Sequence, residues 1–157
     1  MDKSIIGRLQ QTPMFGGLSA AAIDVVLANA QPVAMAAGEC FMREGELGDT
    51  MFLLESGCVR VIKRTAGGER CLRELNSGDF FGEMALLDIN PRSATVRAHS
   101  DCRALAIPGA ALLDLYHHDV AQFSLLSLNL GREVSRRLRE VERLLEQVEA
   151  RAGEDAV

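Results

Sequence analysis

The N-terminal part of the chain carries apolar positions at helical spacing. A short helix is predicted over Ser4–Gln11, with its apolar residues on one face. Ser19 is a candidate N-cap for a second helix over Ala20–Ala30, and Pro32 follows the predicted end of that helix. Residues 1–32 are therefore predicted to form an N-terminal helical segment.

The pattern then changes to short apolar runs separated by glycines, and this pattern persists over residues 33–107. Short runs at this spacing are typical of a sandwich or barrel, and not of alternating strands and helices. A hairpin turn is predicted at Thr65–Glu69. The predicted strands are Cys40–Met42, Met51–Glu55, Cys58–Arg64, Arg70–Leu75, Thr95–Ala98 and Arg103–Ile107. The sequence therefore predicts a mainly β domain with flanking helices.

Helical periodicity returns in the C-terminal part, which is predicted to begin at Pro108. One short helix is predicted over Gly109–Tyr116. Asp119 is a candidate N-cap for a long helix that ends near Ala150, and residues 151–157 are predicted to be frayed.

The long helix changes the phase of its apolar positions near Val134. Before that point Phe123, Leu126 and Leu130 follow a line that is predicted to face the barrel. From there on the apolar steps alternate between four and three residues, which is a heptad pattern. The residues of this heptad seam are Val134, Leu138, Val141, Leu145 and Val148. Such a seam needs a second surface, and a second copy of the chain is the simplest one, so residues 108–150 are predicted to form lid and dimer helices.

Composition narrows the class of protein. The chain has 157 residues, which suits one domain, and its net charge of −5 argues against DNA or RNA as a partner. It contains no apolar run near the ~20 residues of a membrane helix and no signal peptide, so no membrane partner is expected. Four irregularly spaced cysteines are interpreted as reduced core residues of a cytoplasmic protein. The chain begins at a methionine, and a stand-alone protein is expected.

The chemically informative stretch is FGEMALLDINPRSATVRA, from Phe81 to Ala98. Gly82 allows a close approach to the backbone, and Glu83–Leu87 has the composition of one or two helical turns whose first N–H groups suit an anion. Arg92 offers a planar fork of donors matched to phosphate oxygens, and Ser93 adds a hydroxyl beside it. Together these residues predict a phosphate cradle with a carboxylate at its edge.

Other candidate sites are weaker. His117 and His118 point to different faces of a helix, so a shared metal is not expected, and His99 is interpreted as a surface residue. The sequence offers no catalytic constellation, and an enzyme is not expected. A further set of charged residues is interpreted as a solvated, salt-bridged helix face. It comprises Arg132, Arg136, Arg137, Arg139 and Arg143, with glutamates between them.

The stretch from Phe81 to Ala98 resembles the phosphate-binding cassette of cyclic-nucleotide-binding domains. Its glycine framework is similar as well, at Gly38-Glu39, over Arg43–Val61 and over Gly78–Glu83. The resemblance implies an eight-stranded jelly roll with helices at both ends and a cassette at residues 81–95. It also implies that Glu83 takes the ribose 2′-hydroxyl and Arg92 the equatorial phosphate oxygens. The implied ligand-binding residues are Gly82, Glu83, Met84, Ala85, Arg92, Ser93 and Ala94.

Within that family, the chain resembles the sensory half of bacterial regulators of the catabolite-activator type, without the DNA-binding domain. This leaves three hypotheses. The first is a stand-alone cAMP receptor that signals through its C-terminal helix to a protein partner, and the second is the sensing fragment of a larger regulator or channel. The third is a domain of the same fold that binds cGMP or a cyclic dinucleotide. Ser93 is a hydroxyl residue that would also suit cGMP. Val141 and Glu142 align near the base contact, where those relatives carry hydroxyls, so modest selectivity is expected.

Overall fold

Two antiparallel four-stranded sheets make up the body of the computed structural model, which describes residues 3–88 and 90–154. The strand order is β1-β8-β3-β6 in the first sheet and β2-β7-β4-β5 in the second. The strands are β1 Gln31–Met35, β2 Cys40–Met42, β3 Thr50–Ser56, β4 Cys58–Thr65, β5 Gly68–Asn76, β6 Phe80–Phe81, β7 Thr95–Ala98 and β8 Cys102–Pro108. The helices are α1 Lys3–Leu9, α2 Ala20–Leu27, α3 Met84–Leu87, α4 Ala110–His118 and α5 Val120–Glu154. The predicted mainly β fold with flanking helices is confirmed.

The space between the two sheets is filled by an aromatic cluster. The rings of Phe41, Phe52 and Phe81 are mutually in contact, with centroids 5.3–5.4 Å apart. Aromatic pairs at this separation add to the stabilisation from burial alone. Because Phe81 is the first residue of the cassette, this cluster fixes the point at which the cassette leaves the sheet.

A second core lies between the first sheet and the helices. In α5 the side chains of Leu126 and Leu130 are fully buried in this core, as the change of phase predicts. The buried Asn129 amide donates to the carbonyls of Met14 at 3.0 Å and Gly16 at 2.9 Å. The first half of α5 is therefore anchored to the body by apolar packing and by paired polar groups.

The distal half of α5 leaves the body. Leu138, Val141 and Leu145 of the heptad seam are 50–58% exposed. Large apolar side chains exposed at heptad spacing are typical of a helix that packs against another surface.

Several element boundaries differ from the prediction. Helix α2 ends at Leu27 and not at Ala30, and Pro32 lies inside strand β1. That strand is at the edge of its sheet, where proline is tolerated, and its mostly exposed residues give no apolar alternation to detect. Pro108 does not begin the helical tail, because it closes β8 by pairing with Thr50.

Strand β6 and the C-terminal end of α5 also differ from the prediction. Strand β6 was not predicted, since its two residues are too short to show a period. Helix α5 continues to Glu154, so residues 151–154 are helical where fraying was predicted. The rest of the predicted tail, residues 155–157, lies outside the described residues.

Candidate functional site

A cavity of about 500 Å³ opens between the second sheet, the cassette and α5. Strands β4 and β5 form one wall, α5 contributes Arg137, and the cassette forms the opposite wall. All the ligand-binding residues expected from the sequence line this one cavity: Gly82, Glu83, Met84, Ala85, Arg92, Ser93 and Ala94. A volume of this size is in the range of sites for one small organic ligand.

Arg92 is the buried cation of the cavity, with only 8% of the residue exposed. Its guanidinium donates to the carbonyl of Gly82 at 3.2 Å and to the carbonyl of Thr50 at 2.6 Å. Burial lowers the pKa of Arg92, and Asp49 and Glu46 partly oppose that shift. An arginine keeps its charge at neutral pH despite such a shift. In the described part of the chain no carboxylate forms an ion pair with it, so its positive charge is available to an anion.

Two glycines make room for this guanidinium. A Cβ at Gly48 would lie 2.8 Å from Nη2 of Arg92, and a Cβ at Gly82 would lie 2.9 Å from Nη1. Gly82 also has a φ of +76°, a backbone conformation that other residues rarely adopt. The sequence predicts a close approach at Gly82, and the approaching group is the guanidinium of Arg92.

The backbone on both sides of Arg92 is fixed to the loop between β2 and β3. The Arg92 N–H donates to the carbonyl of Glu46 at 2.8 Å, and the Gly45 N–H donates to the carbonyl of Arg92 at 2.9 Å. The Glu44 N–H donates to the hydroxyl of Thr95 at 3.0 Å. These bonds hold the C-terminal end of the cassette in place.

Lys63 was missed by the sequence analysis. Its Nζ donates to the carbonyl of Ser93 at 2.6 Å and lies 2.7 Å from a carboxylate oxygen of Glu44, whose pKa it lowers. The signal was present in β4, because Val59, Val61 and Lys63 alternate onto the inner face of the strand. Lys63 thus fixes the cassette from the side of the sheet.

Glu83 is 3% exposed and accepts a hydrogen bond from Nη1 of Arg137. The same guanidinium donates through Nη2 to the carbonyl of Phe80 at 3.0 Å and through Nε to Glu133 at 2.9 Å. Its Cζ also lies 5.2 Å from the centre of the Phe80 ring. A helix residue therefore contacts the carboxylate that the resemblance assigns to the ribose.

The interpretation of the charged group on α5 as a solvated face is wrong for Arg137 and its partner Glu133. The side chain of Arg137 is 19% exposed and that of Glu133 is 6% exposed. The apolar line through Leu126 and Leu130 continues at helical spacing to these two charged residues. Extending that line past the last apolar residue would have found them.

Two details of the expected cradle differ in the structure. The Ala85 N–H donates to the carbonyl of Gly82 at 3.3 Å, as part of the turn that begins α3. The Ser93 hydroxyl lies 3.9 Å from the sulfur of Met84. Both residues line the cavity. The Ala85 N–H is bonded within its own turn, and the acceptor near the Ser93 hydroxyl is a thioether sulfur, which is weak.

Val141 and Glu142 were aligned near the base contact, but neither lines the cavity within this chain. Both residues are exposed on the distal half of α5. The wall across from the cassette is formed by Val61, Leu72 and Arg73 instead. The assignment of a base contact to these two residues stays a prediction, and within one chain neither residue contributes to the cavity wall.

Comparison with known proteins agrees with this geometry. The family model for the cyclic nucleotide-binding domain matches residues 32–119. The chain is 34% identical to the cyclic AMP receptor protein of Thermus thermophilus over 139 residues, which is 85% of this chain and 61% of that protein. It is 38% identical to a cyclic nucleotide-gated potassium channel of Rhizobium etli over 95 residues, 60% of this chain and 25% of the channel.

Solved structures show the same similarity. The crystal structure of the Thermus thermophilus catabolite activator protein matches with a TM-score of 0.76 and 35% identity, over 87% of this chain and 63% of that one. The chain thus spans less than two thirds of the length of these relatives. Among the described residues, no helix is long and apolar enough to cross a membrane, and no group of three or more metal-ligating side chains could hold an ion.

We expect acid to weaken the fold through Glu133. Burial by itself raises the pKa of this carboxyl, but hydrogen bonds and charges from Arg136 and Arg137 outweigh burial and leave the pKa lowered. An unfolded glutamate titrates near pH ~4.3, so the stabilisation is fully present above that pH and is lost as the pH falls through the lower folded-state pKa. Urea denaturation at a series of pH values from about 6 to about 3 should show a shallower loss of unfolding free energy in Glu133→Gln than in the wild type.

Glu146→Gln is the matched control, because Glu146 is exposed on the same helix. This variant should keep the wild-type pH dependence. Equal slopes for Glu133→Gln and the wild type would contradict the assignment.

Proposed function

Since the chain belongs to the cyclic nucleotide-binding domain family, we propose that it is a receptor for a cyclic nucleotide, with cAMP as the favoured ligand. The observation that carries this proposal is the buried Arg92 guanidinium, which faces a cavity of about 500 Å³ and has no carboxylate partner among the described residues. A buried charge without a counterion is costly, and a ligand phosphate supplies the missing counterion. The role we propose is that of a receptor and not of an enzyme.

The proposed ligand places its phosphate at Arg92 and its ribose 2′-hydroxyl at Glu83. An ionised glutamate only accepts hydrogen bonds, which suits a hydroxyl donor. Because Arg137 occupies Oε1 of Glu83, the other carboxylate oxygen is the acceptor for the ribose. Gly82, Met84, Ala85, Ser93 and Ala94 complete the cassette wall.

A mononucleotide fits this site better than a cyclic dinucleotide. Three arginines line the cavity: Arg73, Arg92 and Arg137. Arg73 is paired with Glu140, and Arg137 is paired with Glu83 and Glu133. Arg92 is thus the one cavity-lining arginine, within the described residues, that lacks a carboxylate partner, which matches a single phosphate.

We further propose that ligand occupancy is transmitted through α5 to a protein partner. The contact between Arg137 and Glu83 joins the cassette directly to this helix. A ligand that binds more tightly to one position of α5 shifts the helix toward that position. The exposed seam of Leu138, Val141 and Leu145 would carry that shift and is proposed to form a homodimer.

A sensing fragment of a larger regulator or channel is the second candidate. Its support is that the chain covers 61% of the cyclic AMP receptor protein and 25% of the potassium channel. Both candidates share the ligand site and differ in whether a further domain is attached to it. Either form is proposed to be cytoplasmic, and the four cysteines, all unpaired, agree with a reducing compartment.

Replacing Arg92 should abolish high-affinity binding. Removing one side of a buried charge pair costs about 2–5 kcal/mol, so Arg92→Ala should weaken cAMP binding by at least about thirtyfold in calorimetry. Arg97→Ala is the control, because Arg97 pairs with Glu69 outside the cavity at 3.0 Å. Near wild-type affinity in Arg92→Ala, with the fold intact by circular dichroism, would remove the phosphate assignment.

Competition titrations should show cAMP binding more tightly than cGMP, by no more than about tenfold. The expected selectivity is modest because Val141 and Glu142 do not line the cavity of this chain. Ser93→Ala separates the two ligands further, since a hydroxyl that bonds the guanine amino group would be lost for cGMP alone. Tighter binding of cGMP than of cAMP by the wild type would reverse the ligand proposal.

The distal seam should determine the oligomeric state. Size-exclusion chromatography with light scattering is expected to show a dimer, and a double change of Leu138→Asp and Leu145→Asp should convert it to a monomer by placing charges in the seam. Leu113→Asp on α4 is the control, since Leu113 is 56% exposed and lies off the seam. A wild-type monomer at all accessible concentrations would exclude the dimer.

A further inference from the structure

Glu133 is a buried carboxylate that the proposed ligand contacts do not use. Only 6% of its side chain is exposed. It accepts from Nε of Arg136 at 2.9 Å, from Nη2 of Arg136 at 2.6 Å and from Nε of Arg137 at 2.9 Å. A buried carboxylate is stable only when it is paired and hydrogen-bonded, and these three bonds supply both.

Glu133 and the segment 80–83 bond different nitrogens of the same guanidinium. Nε of Arg137 donates to Glu133, while Nη1 donates to Glu83 and Nη2 to the carbonyl of Phe80. Because the guanidinium is planar, contacts at all three nitrogens fix its rotation as well as its position. Without Glu133, the Nε edge would lose its only acceptor among the described residues, and Arg137 could turn toward solvent.

Glu133 is itself held from the opposite wall of the cavity. Arg136 bonds Glu133 and also donates to Glu140 at 2.7 Å, and Glu140 accepts from Arg73 of β5 at 3.1 Å. Arg73 and Glu83 both line the cavity. A chain of alternating charges therefore runs from β5 through α5 to the cassette, and Glu133 lies in its middle.

We infer that Glu133 is a positioning residue of the ligand site, which orients Arg137 against Glu83 and so aligns the Glu83 carboxylate for a ribose hydroxyl. It does not line the cavity and acts only through Arg137. This inference rests on the proposed function, because its readout is the affinity for a cyclic nucleotide.

A double-mutant cycle tests the inference with cAMP as the probe. Glu133→Gln and Arg137→Met should each weaken binding by at least about tenfold in calorimetry, since a charged hydrogen bond is lost in each. If Glu133 acts through Arg137, adding Glu133→Gln to Arg137→Met should change the affinity by less than about twofold. Glu146→Gln, an exposed change on the same helix, should leave the affinity unchanged.

Each outcome of the cycle is decisive. Additive losses in the double variant would overturn the inference, because Glu133 would then act independently of Arg137. A lower melting temperature with unchanged affinity would overturn it too, because the role would be structural only. Failure of the wild type to bind cAMP or cGMP would instead overturn the proposed function, and the inference with it.

Arg136→Met provides a second route if Glu133→Gln does not fold. The side chain of Arg136 is 56% exposed, so we expect its replacement to disturb packing little, and it removes two of the three hydrogen bonds to Glu133. The expected loss of affinity is smaller, about twofold to fivefold, and should vanish in the Arg137→Met background. Wild-type affinity in Arg136→Met, or an undiminished loss in that background, would overturn the inference.

Discussion

The burial of one guanidinium constrains much of the architecture around the cavity. Arg92 is held by the carbonyls of Gly82 and Thr50, and it is not neutralised by a carboxylate among the described residues. A Cβ at Gly48 or Gly82 would lie less than 3.0 Å from this guanidinium, so a side chain at either position would displace Arg92. Backbone carbonyls accept hydrogen bonds from the guanidinium, while no carboxylate among the described residues forms an ion pair with it, which is the arrangement expected of an anion site.

The two ends of the cassette that surrounds this guanidinium are held by separate sets of contacts. The aromatic cluster of Phe41, Phe52 and Phe81 fixes the start of the cassette inside the sandwich. Lys63 and the loop between β2 and β3 fix its end. Between these anchors, the described residues of the cassette include one short helix, α3.

Along one face of helix α5, the side chains change from apolar to charged between the helical core and the exposed distal half. Leu126 and Leu130 bury apolar area in the helical core, and one and two turns later the buried Glu133 and the partly buried Arg137 continue that face. Apolar contacts are insensitive to a ligand's charge, whereas under the proposed function the ion pair of Arg137 with Glu83 would respond to that charge directly. The exposed seam begins just beyond this point, at Leu138, on the same continuous helix.

The sequence by itself determined the strand-rich class, the phase change in α5 and the set of cassette residues. Glycine-bounded apolar runs and helical spacing are local patterns, and Glu83 and Arg92 lie in one short motif of distinctive composition. It did not determine Pro32 and Phe80–Phe81 as strand residues, because an exposed edge strand and a two-residue strand carry no period. Only the tertiary structure decided that Lys63, Glu133 and Arg137 belong with the site. Lysine, glutamate and arginine are ordinarily solvated. Here Lys63 and Arg137 bond to residues 30 and 57 positions away in sequence, and Glu133 is held through its bond with Arg137.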